Sequence, residues 1–290
     1  MRERSEEDLS IEGLFMPRAD RAYFAGPPGP PFAGPPGEFS ALDAWWLAEA
    51  SALAYVPDRE VVRRALVGAG FGEVAFASGR STHAFVADDG RTRAVIFRGT
   101  EHLDFDDLRT DISIILDRDS RAGSVHRGFA EALDLVWSEI AAILAAGGDR
   151  PVRFAGHSLG AALATLAASR HGAGALYTFG SPRAGDADFR DAFPVPAFRV
   201  VNVADIVCRV PPPPYRHVGL RCYLGADGRV RLDPGRRVRF REEVRGRMDH
   251  AREVLLRWLD GDFRALPFPA FADHSPFRYA DRLRANLARS

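Results

Sequence analysis

Apolar positions along the chain follow strand-like spacing in some segments and helix-like spacing in others. Short apolar runs typical of strands occur in THAFVA, TRAVIF, PVRFAG, ALYTFG and FRVVNVA. Helical spacing follows Ser40, spans about 129–146, and continues from about Leu159 to Arg170. Strands that alternate with helices of this length predict α/β architecture, with a mainly parallel sheet covered by helices on both faces.

Turn-forming residues indicate where the chain reverses between these elements. Asp88, Asp89 and Gly90 separate THAFVA from TRAVIF and predict a tight hairpin with apolar arms. Beyond Pro214 the pattern changes, and a second hairpin is expected around Asp227. A charged amphipathic helix over 247–259 and a last helix over 277–287 complete the predicted elements.

Proline marks a boundary near the start of the chain. Six of the 20 prolines lie between Pro27 and Pro36. The surrounding segment GPPGPPFAGPPG has few apolar side chains to bury and favours extended backbone, so it predicts a linker. A ligand for an SH3-type domain is the alternative interpretation. We therefore expect an N-terminal tail with a Pro/Gly-rich linker over 1–38, followed by one α/β domain over 39–290.

Composition narrows the classes of protein to which the chain can belong. With 290 residues, of which 46% are hydrophobic, the chain can bury a large core. Its 39 basic residues equal its 39 acidic residues, so no overall field attracts nucleic acid, and we expect no nucleic-acid partner. All the basic residues are arginine, which excludes a Schiff-base lysine and a P-loop lysine.

Cysteine content and apolar run length bear on location and metals. The two cysteines, Cys208 and Cys222, are too few for a metal cluster or a disulfide scaffold, which favours reduced thiols. No run of about eighteen apolar residues occurs, so we expect no transmembrane segment. The start, MRERSEEDLS, lacks the apolar core of a secretory signal. A cytoplasmic location is the default expectation, with leaderless export and the oligomeric state left open.

The segment Gly156-His157-Ser158-Leu159-Gly160 lies between a predicted strand and an alanine-rich helix. A serine on such a sharp turn holds its hydroxyl above the sheet, and glycines two residues away on either side avoid collisions. The helix start aims backbone N–H groups at a developing oxyanion. The motif predicts Ser158 as a nucleophile and the Leu159 N–H as an oxyanion donor. A glycine-rich connection with a buried serine is the alternative.

Several motifs resemble those of one known family. VRFAGHSLGAALATLAA is similar to the nucleophile segment of the class 3 lipase family, the fungal-lipase-like branch of the α/β-hydrolases. AVIFRGT resembles the family's oxyanion strand, VHRGF its helix-opening motif, TFGSPRAGDADF its next strand and loop, and VVNVADIVCRVPP its aspartate segment. Ala161 and Cys208 stand where the family commonly has a glycine and a proline. The resemblance implies an α/β-hydrolase fold, and it implies Thr100 as a second oxyanion donor.

A serine nucleophile needs a histidine base, which in α/β-hydrolases lies downstream of both the serine and the carboxylate. Four histidines satisfy this order: His171, His217, His250 and His274. His274 lies in ADHSPFRYADRL, a loop before the final helix that resembles the family's histidine segment, and it is the predicted base. His217 is its main competitor, and His250, in a charged helix, is expected to be solvated.

The carboxylate that orients the base is predicted to be Asp205. It directly follows the apolar strand FRVVNVA and should project from the carboxyl end of that strand, where α/β sheets gather functional groups. The alternatives lie in a polar loop, where capping or solvent exposure is expected: Asp186, Asp188 and Asp191. The predicted catalytic set is therefore Ser158, Asp205 and His274.

The segments around this set bear on substrate. In the resembling family a lid follows the oxyanion strand, which corresponds here to EHLDFDDLRTDISIIL, residues 101–116. Its aspartates lack the spacing of an EF-hand loop, which favours a solvated flap over a cation site. Aromatic side chains just before His274 either line an acyl pocket or only pack. These are Phe263, Phe268 and Phe271.

The resemblance implies a serine hydrolase of carboxylic esters that needs no metal or organic cofactor. Its substrate would be an acylglycerol, another lipid ester or a small ester, and transient contact with a lipid interface is an open expectation. A phospholipase A1 or an acyltransferase would use the same triad. A catalytically inert scaffold, with the proline-rich arm engaging a partner, is the non-enzymatic alternative. Acyl length and head group stay open.

Overall fold

A sheet of eight strands forms the centre of the computed structural model, which describes residues 8–18, 21–26, 29–35, 37–99, 116–118 and 123–289. Its strands are β1 (Glu73–Ser78), β2 (His83–Asp88), β3 (Arg93–Phe97), β6 (Val152–His157), β7 (Ala175–Phe179), β8 (Ala197–Asn202), β9 (Leu220–Leu224) and β10 (Val230–Leu232). They lie side by side in this same order. A separate ribbon pairs β4 (Leu116–Arg118) with β5 (Ser124–His126).

Strand direction divides the sheet into a parallel centre and antiparallel edges. The central strands β3, β6, β7, β8 and β9 pair in parallel, with Val95 opposite Phe154 as one example of the register. The pairs β1–β2, β2–β3 and β9–β10 are antiparallel. The hairpin expected at Asp88–Gly90 joins β2 to β3. The prediction of a mostly parallel α/β sheet is confirmed.

Helices cover both faces of the sheet. They are α1 (Ile11–Phe15), α2 (Ala41–Leu53), α3 (Arg59–Gly68), α4 (Arg127–Ala146), α5 (Leu159–His171), α6 (Ala187–Asp191), α7 (Arg236–Leu259), α8 (Pro269–Ala272) and α9 (Pro276–Leu287), with a 3₁₀ turn at Val207–Arg209. Apolar residues of α2 and α9 form a core against one face, and those of α4 and α5 form a second core against the other. The central strands are buried on both sides, which explains their continuous apolar runs.

Sequence signals located the central strands and the long helices but missed several shorter elements. Ser40 caps α2 as expected, because its side chain accepts a hydrogen bond from Asp43 N. The missed elements include α3 and β1, which follow the break at Pro57. Helix α7 begins at Arg236, eleven residues before its predicted start. The prediction missed the first half of the helix because that half is rich in charged residues and has a weak apolar period. None of the described helices is both long and apolar enough to cross a membrane.

The described part of the N-terminal segment is packed against the α/β body. Leu9, Leu14 and Phe15 are buried in a cluster with residues of α7 and α8. The Ser275 hydroxyl donates to the carbonyl of Leu14, and Arg21 forms an ion pair with Glu49 at 3.0 Å. These residues are therefore not a free tail, because apolar side chains and charges in this segment find partners on the body. The domain boundary near residue 38 stays a prediction.

Candidate active site

Ser158 lies on a strained turn between β6 and α5. Its backbone angles, φ 58° and ψ −128°, fall in a region that residues other than glycine rarely adopt. A side chain on Gly156 would overlap the backbone of Gly160, and one on Gly160 would overlap the carbonyl of Phe97. The two glycines of the motif are therefore required by the close approach of β6, α5 and β3.

The three predicted catalytic side chains meet at the carboxyl end of the sheet. His274 Nε2 lies 2.9 Å from Ser158 Oγ, and His274 Nδ1 lies 2.9 and 3.0 Å from the two carboxylate oxygens of Asp205. Each of the three is at most 2% exposed. With Asp205 ionised, the network places the proton on Nδ1 and leaves Nε2 free to accept from the serine hydroxyl. This arrangement can deprotonate a serine during nucleophilic attack.

Other groups hold the Asp205 carboxylate in place. Val207 N donates to Oδ1 at 2.9 Å, and the Tyr279 hydroxyl donates to Oδ2 at 2.7 Å. Tyr279 is held in turn by the backbone N–H of Asn202, which donates to its oxygen at 3.0 Å. Sequence reasoning missed Tyr279. The available signal was weak: a tyrosine early in the helix after His274, whose hydroxyl needs a partner when the ring is buried.

His157, the residue before Ser158, holds the backbone of His274 in place by a hydrogen bond. Its Nε2 donates to the His274 carbonyl at 2.6 Å, and its Nδ1 accepts from the Tyr55 hydroxyl at 2.8 Å. Burial, together with the nearby His274, lowers the pKa of His157 well below the usual value for histidine. A neutral His157 positions the His274 loop and adds no charge beside the base. His157 was not predicted, because the order Ser, Asp, His directs attention to histidines downstream of Ser158.

Gly180, which follows β7, leaves room for the histidine–aspartate pair. Its φ is +60°, and a Cβ at this position would lie 2.7 Å from Asp205 Oδ2 and 2.8 Å from His274 Nδ1. Any side chain would displace one of the two groups. The small residue in TFGSPR is thus a requirement of the site, not only of the turn.

The other candidate histidines lie elsewhere. His217 Nε2 donates to the carbonyl of Cys208 at 2.8 Å and does not reach Ser158. The expectation that His250 is solvated is wrong, because it is 6% exposed and its Nε2 donates to the Leu266 carbonyl at 2.8 Å. His250 occupies the face of α7 that packs on the body, which the charged sequence of the helix concealed. His171 is exposed at the end of α5.

The remaining predicted groups have mixed outcomes. Leu159 is the first residue of α5, so its N–H belongs to the helix start beside Ser158. Thr100 and the lid residues 101–115 lie outside the described residues. Asp186 caps α6 as expected, since it accepts from Phe189 N at 2.9 Å.

Cys208 and Cys222 are buried thiols without a disulfide. Within the described chain, no cluster of three or more His, Cys, Asp or Glu side chains forms a metal site.

Family comparison connects this geometry to known proteins. Residues 94–215 match the sequence model of the class 3 lipases, and this segment contains Ser158 and Asp205. The match covers less than half of the chain, and over that segment the chain is similar to the class 3 lipases. A curated relative is phospholipase A(1) DAD1, chloroplastic, from Arabidopsis thaliana, which is 40% identical over 90 residues. That alignment covers 27% of this chain and 20% of the relative, so the chain spans only about a fifth of that protein.

Solved structures extend the similarity beyond the matched segment. The lipase of Rhizopus microsporus var. chinensis aligns with this chain at a TM-score of 0.55 and 26% identity, covering 69% of this chain and 80% of that one. The triacylglyceride lipase of Rhizomucor miehei aligns at a TM-score of 0.50 and 24% identity, covering 62% and 78%. The second similarity supports the fold, and together they confirm the predicted α/β-hydrolase fold.

Proposed function

We propose that this protein is a serine hydrolase that cleaves carboxylic esters of lipids through an acyl-enzyme on Ser158. The observation that carries the proposal is the continuous hydrogen-bonded series from Ser158 through His274 to Asp205. The match of residues 94–215 to the class 3 lipases and the similarity to the Rhizopus lipase support an ester as the bond that is cleaved. The catalytic roles of the three residues are part of this proposal.

In the first half of the reaction Ser158 Oγ attacks the carbonyl carbon of the ester. The hydroxyl proton moves to His274 Nε2, and Asp205 stabilises the imidazolium that forms. The negative charge on the former carbonyl oxygen is bound by backbone donors, of which the Leu159 N–H is one. Thr100 is the second donor by family resemblance. The carbon–oxygen bond to the alcohol then breaks, and His274 returns its proton to the departing oxygen.

In the second half water replaces the alcohol. His274 takes a proton from the water, whose oxygen attacks the acyl carbon, and the bond to Ser158 Oγ breaks with return of the proton to the serine. These steps use side chains of this chain alone. Because Ser158 is only 1% exposed, substrate entry requires a neighbouring segment to move.

Phospholipase A1 activity is the second candidate within the same mechanism. The 40% identity over 90 residues to the Arabidopsis phospholipase A(1) favours it specifically. A phospholipid presents the same ester carbonyl to Ser158, so the triad does not discriminate between the two substrates. The difference lies in how the polar head of the lipid is accommodated.

Hydrolysis of three ester classes by the purified chain tests the proposal. We expect p-nitrophenyl butyrate and an emulsified triacylglycerol to be cleaved, because the triad attacks any ester carbonyl that reaches Ser158. Release of the sn-1 fatty acid from phosphatidylcholine at a higher kcat/KM than from triacylglycerol would assign the phospholipase. Absence of cleavage in all three, together with failure of a fluorophosphonate probe to label Ser158, would leave an inert scaffold.

Contact with a lipid surface is the second part of the proposed function. Helix α7 exposes an apolar stripe of residues at helical spacing: Phe240, Val244, Met248, Leu255 and Leu259. Phe240 is 69% exposed and Leu259 is 74% exposed, which is high for residues of this size. The buried side of α7 contains Glu242, His250 and Val254, and His250 Nε2 donates to the Leu266 carbonyl at 2.8 Å. The segment after α7 leads directly to His274.

The charge of α7 favours an anionic lipid surface as the occupant of the apolar stripe. The helix contains eight arginines and four acidic residues. A helix with an apolar stripe and flanking cations lies in the plane of a membrane interface, where its arginines meet lipid phosphates. Such docking would hold the His274 end of the molecule against its substrate.

Vesicle sedimentation tests the apolar stripe. We expect binding to vesicles that contain phosphatidylglycerol and weak binding to pure phosphatidylcholine. Replacing Phe240, Met248 and Leu259 with serine should lower the vesicle affinity at least about tenfold, since each side chain contributes buried apolar area.

The matched control places three serines at exposed apolar positions outside α7, namely Val67, Leu135 and Leu232. Thermal unfolding checks that both variants are folded. Equal affinity of the two triple variants, or a dimer whose association depends on the apolar stripe, would rule out lipid docking.

A further inference from the structure

A cavity of about 420 Å³ lies beside β8 and β9, away from the triad. Five of its described lining residues are arginines, namely Arg183, Arg190, Arg199, Arg216 and Arg221. Asp233 is the one acidic side chain among these lining residues. Positive charge is therefore concentrated around one small volume, in a chain whose net charge is zero.

Arg199 is the most deeply buried of these cations. It projects from the middle of β8 and is 6% exposed. Within the described chain its Nε has no hydrogen-bond partner, and the groups that influence its charge include no carboxylate. Burial lowers the pKa of Arg199 to about 10, which leaves the guanidinium charged at neutral pH. A buried charge without a counter-ion is costly for the fold, so an anionic partner would stabilise Arg199.

A second arginine stands directly beside it. Arg221 of β9 is the register partner of Arg199, which places the two side chains on the same face of the sheet. Like charges opposite each other on neighbouring strands are destabilising. Asp233 lies 3.4 Å from Arg221, but its side chain is 67% exposed, so water weakens this pair. Asp233 therefore offsets only part of the repulsion.

Other polar residues of the lining include Tyr215, Arg216 and His217. The Tyr215 hydroxyl is fully buried and has no hydrogen-bond partner within the described residues. Arg216 Nη1 donates to the carbonyls of Pro214 and Tyr215, which leaves its charge without an anionic partner there. Burial, followed by the nearby Arg199, lowers the pKa of His217 well below its usual value, so it adds no charge.

The wall of the cavity is connected to the catalytic loop. His217 donates to the Cys208 carbonyl at 2.8 Å, and Arg183 Nη1 donates to the Arg209 carbonyl at 2.6 Å. Both carbonyls belong to the turn that follows Asp205. A ligand that orders this wall would therefore also order the backbone next to the carboxylate of the triad.

We propose that this cavity binds a phosphoryl group, with Arg199 and Arg221 as its cationic partners. A tetrahedral phosphoryl group presents acceptor oxygens in several directions, which suits donors that converge from two strands and a loop. A carboxylate has only two oxygens in one plane. Inorganic phosphate and the phosphodiester of a phospholipid head group share this chemistry.

Titration of the full chain with inorganic phosphate tests the site. At constant ionic strength we expect saturable heat in calorimetry and a rise in Tm of at least about 3 °C in phosphate relative to chloride. The variant Arg221→Glu places a carboxylate opposite Arg199. We expect it to have a higher Tm than the wild type in chloride and no response to phosphate, because the added carboxylate replaces the ligand.

Arg229→Glu is the matched control, since it makes the same charge change at an exposed position outside the cavity and should keep the phosphate response. Dihexanoyl-phosphatidylcholine below its micelle concentration is the second ligand. Binding of phosphate alone assigns a free phosphate site, and binding of the diester alone assigns a head-group site. No saturable heat with either ligand in the wild type, or an unchanged phosphate response in Arg221→Glu, would overturn the proposal.

Discussion

Replacing Ser158 with alanine abolishes ester hydrolysis in our expectation, with a fall in kcat of about 10⁶, as for triad serines of other hydrolases. The variant lacks the oxygen that attacks the ester, and His274 Nε2 loses its 2.9 Å partner. The fold should survive, because alanine keeps the Cβ that the strained turn already accommodates. Hydrolysis of p-nitrophenyl butyrate and labelling by a fluorophosphonate probe measure the effect.

Ser81→Ala is the control for this experiment, because Ser81 is exposed in the turn between β1 and β2. It should keep wild-type activity and labelling. A Ser158→Ala variant that retains full activity would refute the assignment of the nucleophile. If the wild type hydrolyses the ester but is not labelled by the probe, a group other than Ser158 attacks the ester.

The variant Asp205→Asn should lower kcat by about 10⁴ with little change in KM, as in other serine hydrolases with this substitution. The Asp205 carboxylate accepts from His274 Nδ1, from the Tyr279 hydroxyl and from Val207 N. The asparagine amide has only one acceptor oxygen. Its NH₂ group would therefore face one of the N–H or O–H donors that now bind the second carboxylate oxygen. His274 would then move its proton to Nε2, where the imidazole no longer accepts from Ser158.

Asp191→Asn makes the same chemical change at an exposed residue that pairs with Arg190. It should leave kcat and KM unchanged. Steady-state kinetics on a soluble ester compare the two variants, and circular dichroism checks their fold. A loss of less than tenfold in Asp205→Asn would show that another group orients His274.

The turn that holds Ser158, our proposed nucleophile, was predictable because its geometry is local. The alternation G-x-S-x-G between a strand and a helix encodes one turn, and the backbone clashes that require Gly156 and Gly160 lie within or next to it. The order of the downstream aspartate and histidine then reduced the choice to a few residues. The hydrogen bonds from His274 to Ser158 and from His274 to Asp205 join distant parts of the chain, so only the tertiary structure could show them.

The supporting residues were not predictable, because their partners are distant in sequence. Tyr279 lies 74 residues from the carboxylate it contacts, and Tyr55 lies 102 residues from His157. Neither contact has a periodic or spacing signal. Gly180 is similar, since its requirement for a bare backbone arises from two side chains that approach it from other loops.

The charged sequence of α7 concealed how the helix packs. We expected a solvated His250, yet His250 is buried and Phe240 is exposed. The N-terminal segment was expected to be a tail, and its Leu14 and Phe15 pack beside the loop of His274. In both cases a few contacts with distant elements decide which side of a segment is covered.

By itself the sequence determined the α/β class, the order of strands and helices, and the turn that holds Ser158, since all three depend on interactions between neighbours in the chain. The tertiary structure decided which histidine reaches the serine, which groups fix Asp205, and that Arg199 and Arg221 stand side by side. Those outcomes depend on strand register and loop closure, which bring residues far apart in sequence into contact. The free energy of these contacts comes from burial and charge in the folded chain, which no local sequence pattern records.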